Sequence, residues 1–291
     1  MADIPPMTEA DLTAEVVARF AGTPDPRLRE LMQALVRHLH AFAREVRLTE
    51  AEWLEGVRFL TGTGHTCDAV RQEFVLLSDT LGLSSLVDLI NHAGDDPTAT
   101  EPTILGPFYV PGSPWRQAGE SMVTWAGTAG QPARLSGRVR STSGAPVPGA
   151  VLDLWQNDGS GFYAVQQPGV QPADNLRGRY RADDQGRYEV RTVRPAPYPI
   201  PDDGPVGRML TATGRHPWRA AHLHAIVSAD GYLPVVTHVF DAASEYLDSD
   251  TVFGVKASLV RRFVEEADGT CSLEHDFTLR PATPVPVDRG R

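Results

Sequence analysis

Lysine is almost missing from the chain: Lys256 is the only one, and the other basic side chains are arginine. Cysteine is nearly as scarce. Cys67 and Cys271 lie far apart and form no Cys-x-x-Cys pattern, so reduced thiols in a cytosolic protein are expected rather than a disulfide scaffold. Positive charge is outnumbered, with 27 Lys and Arg against 37 Asp and Glu and a formal net charge of −10. That balance argues against a nucleic-acid backbone or an anionic membrane as partner. No apolar run approaches the roughly 18 residues that a bilayer span needs. The opening stretch MADIPPMTEADL has no basic region followed by an apolar one, so no export signal is expected and the expected location is cytoplasmic.

What remains is an ordinary globular composition, 41% hydrophobic and 22% charged over 291 residues, enough for one large or two modest domains. Residues 8–92 read as helical. Thr8 and Asp11 stand at a cap position before the 3.6-period run Leu12, Val16, Val17, Phe20. Pro24 and Pro26 break the chain before a second stripe of Leu28, Leu31, Leu35, Leu39 and Phe42. Thr49 and Glu52 form a capping-box candidate ahead of Trp53, Val57 and Leu60, a segment that Gly62 and Gly64 are expected to interrupt. Further helices are expected over Val70, Phe74, Leu77, Leu81 and from Leu83 to Ile90. Near residue 94 the composition turns rich in Pro, Gly and Thr, and strand signals follow at Leu135–Val139, Ala150–Trp155 and Arg187–Val193. Ser258–Val264 and Ser272–Leu279 flank ADGT as a hairpin. The expected class is α+β, with a helical domain over 1–100 and a β-sandwich over 101–291.

The stretch RHPWRAAHLHAIVSADGYLPVVTHVF, residues 215–240, carries the chemistry. Alternation along a strand puts His222 and His224 on one face, roughly 7 Å apart along the backbone. Two neutral imidazoles so placed suit one metal ion, although two histidines on a polar sheet face fit the pattern as well. Two long, ordered-looking loops each present a tyrosine: Tyr163 after the glycine-rich turn of QNDGSGFYAVQ, and Tyr198 held between prolines in RPAPYPIPDDGP, a loop that those prolines stiffen. Each could equally plug the end of a sandwich. A phenol has an unperturbed pKa of about 10, so only a strongly Lewis-acidic ion holds it as phenolate at neutral pH. Fe(III) meets that demand better than zinc or magnesium, and two phenolates and one hydroxide would cancel its charge.

The order Gly-Phe-Tyr163, Pro-Tyr198-Pro, Arg219-Ala-Ala-His222-Leu-His224 resembles the intradiol ring-cleaving dioxygenases. So do AVLDLWQNDGSGFYAVQ, NLRGRYRADDQGRYEVRTVRP, TILGPFYVPGSP and the helical stretch from TGHTCDAVRQEF to LINH, so the likeness covers nearly the whole chain. VRPAPYPIPDDGPVG, GRHPWR, VTHVFD and YLDSDTVFGVK read closer to the branch acting on hydroxyquinol (benzene-1,2,4-triol) than to the catechol branch. The resemblance implies Fe(III), one per subunit, held by Tyr163, Tyr198, His222 and His224 with hydroxide as fifth ligand. Tyr198 is then the phenolate that departs when substrate chelates, and Arg219 stabilises negative charge on the ring. His238 stands where catechol enzymes tend to carry Gln, as a catalytic or supporting residue. Ala220 replaces a proline common in the family, which removes no ligand. The implied reaction inserts O2 between two adjacent hydroxylated carbons, giving 3-hydroxy-cis,cis-muconate and hence maleylacetate.

The matching wall of the substrate pocket comprises Leu76, Asp79, Ile104, Gly106, Pro107, Ile200, Pro201 and Val252, with Arg219 at its edge. Asp79 is the only acid in that apolar set, which suits a partner for the third hydroxyl of hydroxyquinol; an exposed helical acid is the alternative. The resemblance also implies a homodimer joined through the helical region, with phospholipid tails bound at that interface. Two rivals stay open: the same machinery acting on catechol or a chlorocatechol, and a non-enzymatic or zinc-binding β-sandwich module, which would be colourless. Roles for His38 and His40 beyond solvated helix positions are not evident.

Overall fold

The computed structural model describes residues 7–68 and 71–282. The chain divides into two compact units, 1–62 and 63–291. In the first, Thr8 caps helix α1 (Glu9–Arg19) as expected, and Asp11 closes a reciprocal box by accepting from the Thr8 amide. Asp25 caps helix α2 (Pro26–Glu45), accepting from the Arg27 and Leu28 amides at 2.8 and 3.1 Å. Thr13 ties the two helices, its hydroxyl lying 2.7 Å from Arg44 Nη1 and 3.0 Å from His40 Nδ1. His40 is therefore a half-buried hydrogen-bonding residue, not a solvated one, while His38 is exposed. Leu28, Leu31, Leu35, Leu39 and Phe42 remain 48 to 55% exposed along one stripe of α2.

Helix α3 (Glu50–Thr66) begins at the Thr49–Glu52 box and runs through Gly62 and Gly64 without the expected break. Each glycine costs about 1 kcal/mol against alanine, too little to stop an established helix. Val70, expected to open the next helix, lies outside the described residues. Helices α4 (Glu73–Thr80) and α5 (Leu83–Asn91) belong with the strands in the second unit. Fully buried Glu73 pairs with Arg71 at 2.9 Å and accepts from the Val206 amide at 3.1 Å, capping helix α6 (Pro205–Ala212). Lys256 reaches Asp88 on α5 and the Pro102 carbonyl at 2.6 and 2.7 Å.

The strands are β1 (Pro132–Ser141), β2 (Val151–Gln156), β3 (Arg177–Arg181), β4 (Arg187–Val193), β5 (Tyr198–Pro199), β6 (Trp218–Arg219), β7 (His222–Ser228), β8 (Val235–Asp241), β9 (Val260–Arg261), β10 (Val264–Glu265), β11 (Cys271–Glu274) and β12 (Phe277–Leu279). One sheet has the order β10-β11-β1-β12 with β4 also on β1, the second has β3-β2-β7-β8-β9, and β5 pairs with β6. The expected run Ser258–Val264 is two short pieces, and Ser272–Leu279 splits into β11 and β12, parallel to successive parts of β1. The hairpin over ADGT forms between β10 and β11.

Side-chain alternation sorts the second sheet. Leu152, Leu154, Leu223, Ala225, Val227 and Val239 join Leu135, Val139, Val190, Leu273 and Phe277 of the first sheet in one buried core. The intervening residues of β2, β7 and β8, Trp155, His222, His224, His238 and Phe240, fall on the sheet's other face.

Candidate metal centre

That other face is where separate parts of the chain converge. His222 and His224 come from β7, two residues apart, and the β5–β6 ladder sets Tyr198 opposite Arg219 beside them. Tyr163 follows Gly161, which has φ +87°; a Cβ there would lie 3.2 Å from Tyr198 Cβ, so glycine lets the two tyrosine loops approach. The Tyr163 hydroxyl is 2.9 Å from His224 Nε2, which is 3.1 Å from His222 Nε2. Arg219 Nη1 donates to the Tyr198 hydroxyl at 3.3 Å and lies 3.2 Å from His222 Nε2. All five side chains are buried.

The tautomer of His222 follows from its other nitrogen. Nδ1 is 2.6 Å from the Ala220 carbonyl and must donate to it, leaving a lone pair on Nε2. That acceptor is the backbone carbonyl of Ala220, which does not depend on the side chain there. Burial, and then the Arg219 charge, push the His222 imidazole well below its usual value; burial, then His222, do the same for His224. Both rings are neutral and ready to ligate. Burial, followed by neighbouring Tyr198, pushes the Tyr163 phenol well above its usual value, so its proton leaves only to a strong Lewis acid. Burial opposes charge on Arg219, yet the Asp250 carboxylate together with the Tyr198 and Tyr163 oxygens outweighs it, and the guanidinium is held firmly charged.

Two nitrogens 3.1 Å apart, at least one with a lone pair toward the other, beside a phenol oxygen at 2.9 Å, make a cluster that a cation relieves. The donor set of imidazole nitrogens and phenol oxygens therefore fits a ferric ion. His238 adds a third ring: one nitrogen of each of His222, His224 and His238 lies within 4.8 Å of the others. His238 Nδ1 is 3.3 Å from Thr103 Oγ1, and its Nε2, like His224 Nδ1, is buried without a hydrogen-bond partner.

Of the expected pocket wall, Leu76, Asp79, Ile200 and Val252 are buried, Ile104, Gly106 and Pro201 partly so, and Pro107 is exposed. Gly106 has φ +77°, and a Cβ there would stand 3.2 Å from His224 Cε1. Asp79 is 4% exposed, not a solvated helical acid; burial pushes its carboxyl up, countered by the Ser84 hydroxyl and by Arg219. Sequence reasoning missed the residues that brace the centre. Trp155 stacks on His224 with centroids 4.6 Å apart, and Phe108 on Tyr163 at 4.5 Å. Asp250 holds Arg219 at 3.2 Å. Strand parity could have placed Trp155; nothing local marks Asp250.

Residues 25–98 match the family described as catechol dioxygenase N terminus, and residues 104–281 the family described as dioxygenase. The chain is 51% identical over 271 residues to a 6-chlorohydroxyquinol 1,2-dioxygenase of Cupriavidus pinatubonensis, covering 93% of this chain and 97% of that one. It is 46% identical over 276 residues to a hydroxyquinol 1,2-dioxygenase of Rhizobium sp., covering 91% and 92%. The solved structure of hydroxyquinol 1,2-dioxygenase from Pseudomonas putida DLL-E4 superposes with a TM-score of 0.89 at 49% identity, over 94% of this chain and 99% of that one. With this helical front, this sandwich and these matches along nearly its whole length, the chain belongs to the intradiol ring-cleavage dioxygenase family.

Proposed function

We propose that this chain is a non-haem iron(III) dioxygenase that opens hydroxyquinol between its two adjacent hydroxylated carbons, with both atoms of O2 entering the ring-opened diacid. The observation that carries the reading is the contact of Tyr163 oxygen, His224 Nε2 and His222 Nε2 at 2.9 and 3.1 Å, with Tyr198 joined to the same cluster through Arg219. Tyr163, Tyr198, His222 and His224 would hold the ion. Bound there, ferric iron supplies a Lewis-acidic centre that draws electron density from a chelated diol and opens the ring to O2.

The side chains do the rest. Tyr198, a phenolate while it held the ion, would take a hydroxyl proton from the incoming diol and become a phenol, with the Arg219 guanidinium in reach of its oxygen. Arg219, buried and charged, stabilises negative charge on the ring as it reacts. Leu76, Ile104, Gly106, Pro107, Ile200, Pro201 and Val252 would wall the ring from water. Asp79 would accept a hydrogen bond from the third hydroxyl, and His238, with Thr103 behind it, would complete the polar lining. Relatives named for hydroxyquinol and 6-chlorohydroxyquinol support this choice of ring over catechol.

The test is oxygen uptake by the iron-loaded protein with hydroxyquinol and catechol in parallel, with the product identified. Faster turnover of catechol makes the chain a catechol-type enzyme, and a colourless, iron-free protein overturns the metal assignment. The exposed stripe of α2 supports a homodimer through the helical region, with phospholipid there. A monomeric mass in solution, or no lipid on organic extraction, removes the corresponding part.

A further inference from the structure

Arg219 and Asp250 are each buried, and they meet through one contact only: Nε donates to Oδ1 at 3.2 Å. An arginine and a carboxylate more often pair side by side through two parallel bonds. Here the second carboxylate oxygen is already engaged, accepting from the Gly254 amide at 2.8 Å. The 250–254 turn closes tightly around it. The Phe253 amide donates to the Asp250 carbonyl at 2.9 Å, and Phe253 has φ +57°, a conformation that a bulky side chain rarely adopts. At Gly254 a Cβ would stand 2.9 Å from Arg219 Nη2 and 3.2 Å from Asp250 Oδ2, so the turn approaches the guanidinium only because this residue is glycine.

The arms of Arg219 therefore have separate fates. Nε is anchored on Asp250, and Nη1 faces Tyr198 oxygen and His222 Nε2 at 3.3 and 3.2 Å. Nη2 is buried with no partner, beside Gly254. We propose that Asp250 is a positioning residue. By holding Arg219 through Nε alone, with its other oxygen occupied by Gly254, it aims Nη1 at Tyr198 and keeps Nη2 free to donate to a negatively charged oxygen of the bound diol. The clamp deepens the reading of the centre as a ferric diol-cleaving site and rests on it. Asp250 also balances the buried guanidinium, so the site presents a directed donor without a net charge.

Four variants test it: Asp250→Asn, which keeps an acceptor but loses the charge; Gly254→Ala, which crowds Nη2; and Arg219→Gln, alone and combined with Asp250→Asn. In the metal-free protein, Asp250→Asn lowers Tm by about 10 °C, and adding Arg219→Gln recovers part of that loss. In the iron-loaded protein, Asp250→Asn and Gly254→Ala each lower kcat for hydroxyquinol by about 10- to 100-fold, with KM within about threefold. Both also shift the phenolate-to-iron absorption band at full iron content, because Nη1 touches Tyr198. A purely structural pair would lower Tm and leave kcat and band alone, and that result overturns the proposal. So do additive Tm shifts. Should Asp250→Asn not fold, Gly254→Ala alone decides through kcat and band. Failure of the functional reading is distinct, because the wild-type holoprotein would then not consume O2 with hydroxyquinol while the metal-free coupling stood.

Discussion

Trp155 lies flat against His224, with ring centroids 4.6 Å apart and planes 14° from parallel. The β2–β7 register sets the two residues directly opposite, and Tyr109 backs the indole from 4.8 Å. The stack limits how His224 can tilt while its Nε2 faces Tyr163. Trp155→Ala is expected to cost about 3–5 kcal/mol in stability and to weaken iron retention about 10-fold, with Trp155→Phe restoring most of both. Urea unfolding and iron content after chelator dialysis measure the two effects. A folded alanine variant that kept its iron would show that the stack is packing alone.

Tyr163→Phe deletes the oxygen 2.9 Å from His224 Nε2 and leaves the ring stacked on Phe108. Iron retention should fall at least about 10-fold, and absorption per iron should weaken as one phenolate donor is lost. An unaltered visible spectrum at equal iron content would take Tyr163 out of the ligand set.

Asp79→Ala removes a buried acid, the proposed partner of the third hydroxyl. Wild type should prefer hydroxyquinol over catechol, and the variant should lose at least about 10-fold of that preference, chiefly through slower hydroxyquinol turnover. The comparison is kcat/KM on both diols. A preserved ratio would return Asp79 to a packing role.

His275 is 3% exposed, neither ring nitrogen has a partner, and burial pushes its pKa down to about 4. The unfolded chain binds a proton near pH 6.5 where the folded one does not, so this stability is whole above about 6.5 and drains away as pH falls toward 4. At pH 5 the loss is about 2 kcal/mol. Between pH 8 and pH 5, urea unfolding should show His275→Leu losing less stability than wild type by about that amount. Equal losses in the two proteins would mean His275 is not buried neutral.

Local signals read well where the physics is local. The cap at Thr8–Asp11 and the box at Thr49–Glu52 span three residues and form as spaced. Gly62 and Gly64 misled because a glycine's local cost of about 1 kcal/mol was given the weight of a stop. The run Ser258–Val264 misled for another reason: alternation describes which face a residue takes, and says nothing of whether a neighbouring strand is there to pair with all of it. Asp250 could not be found at all, since an acid in a polar loop looks like any solvated acid until a guanidinium from 31 residues earlier is laid upon it.

By itself the sequence determined that His222 and His224 share a face, that a proline-stiffened loop carries Tyr198 and a glycine-rich one Tyr163, and that helices precede a sandwich. Alternation, capping and proline restriction act within a few residues and need no partner. Tertiary structure alone decided that Trp155 covers His224, that Asp79 is buried, and that Asp250 grips Arg219 by a single nitrogen. Those relations depend on strand register and on close backbone approach at Gly161 and Gly254, and such contacts exist only once the sheets have closed.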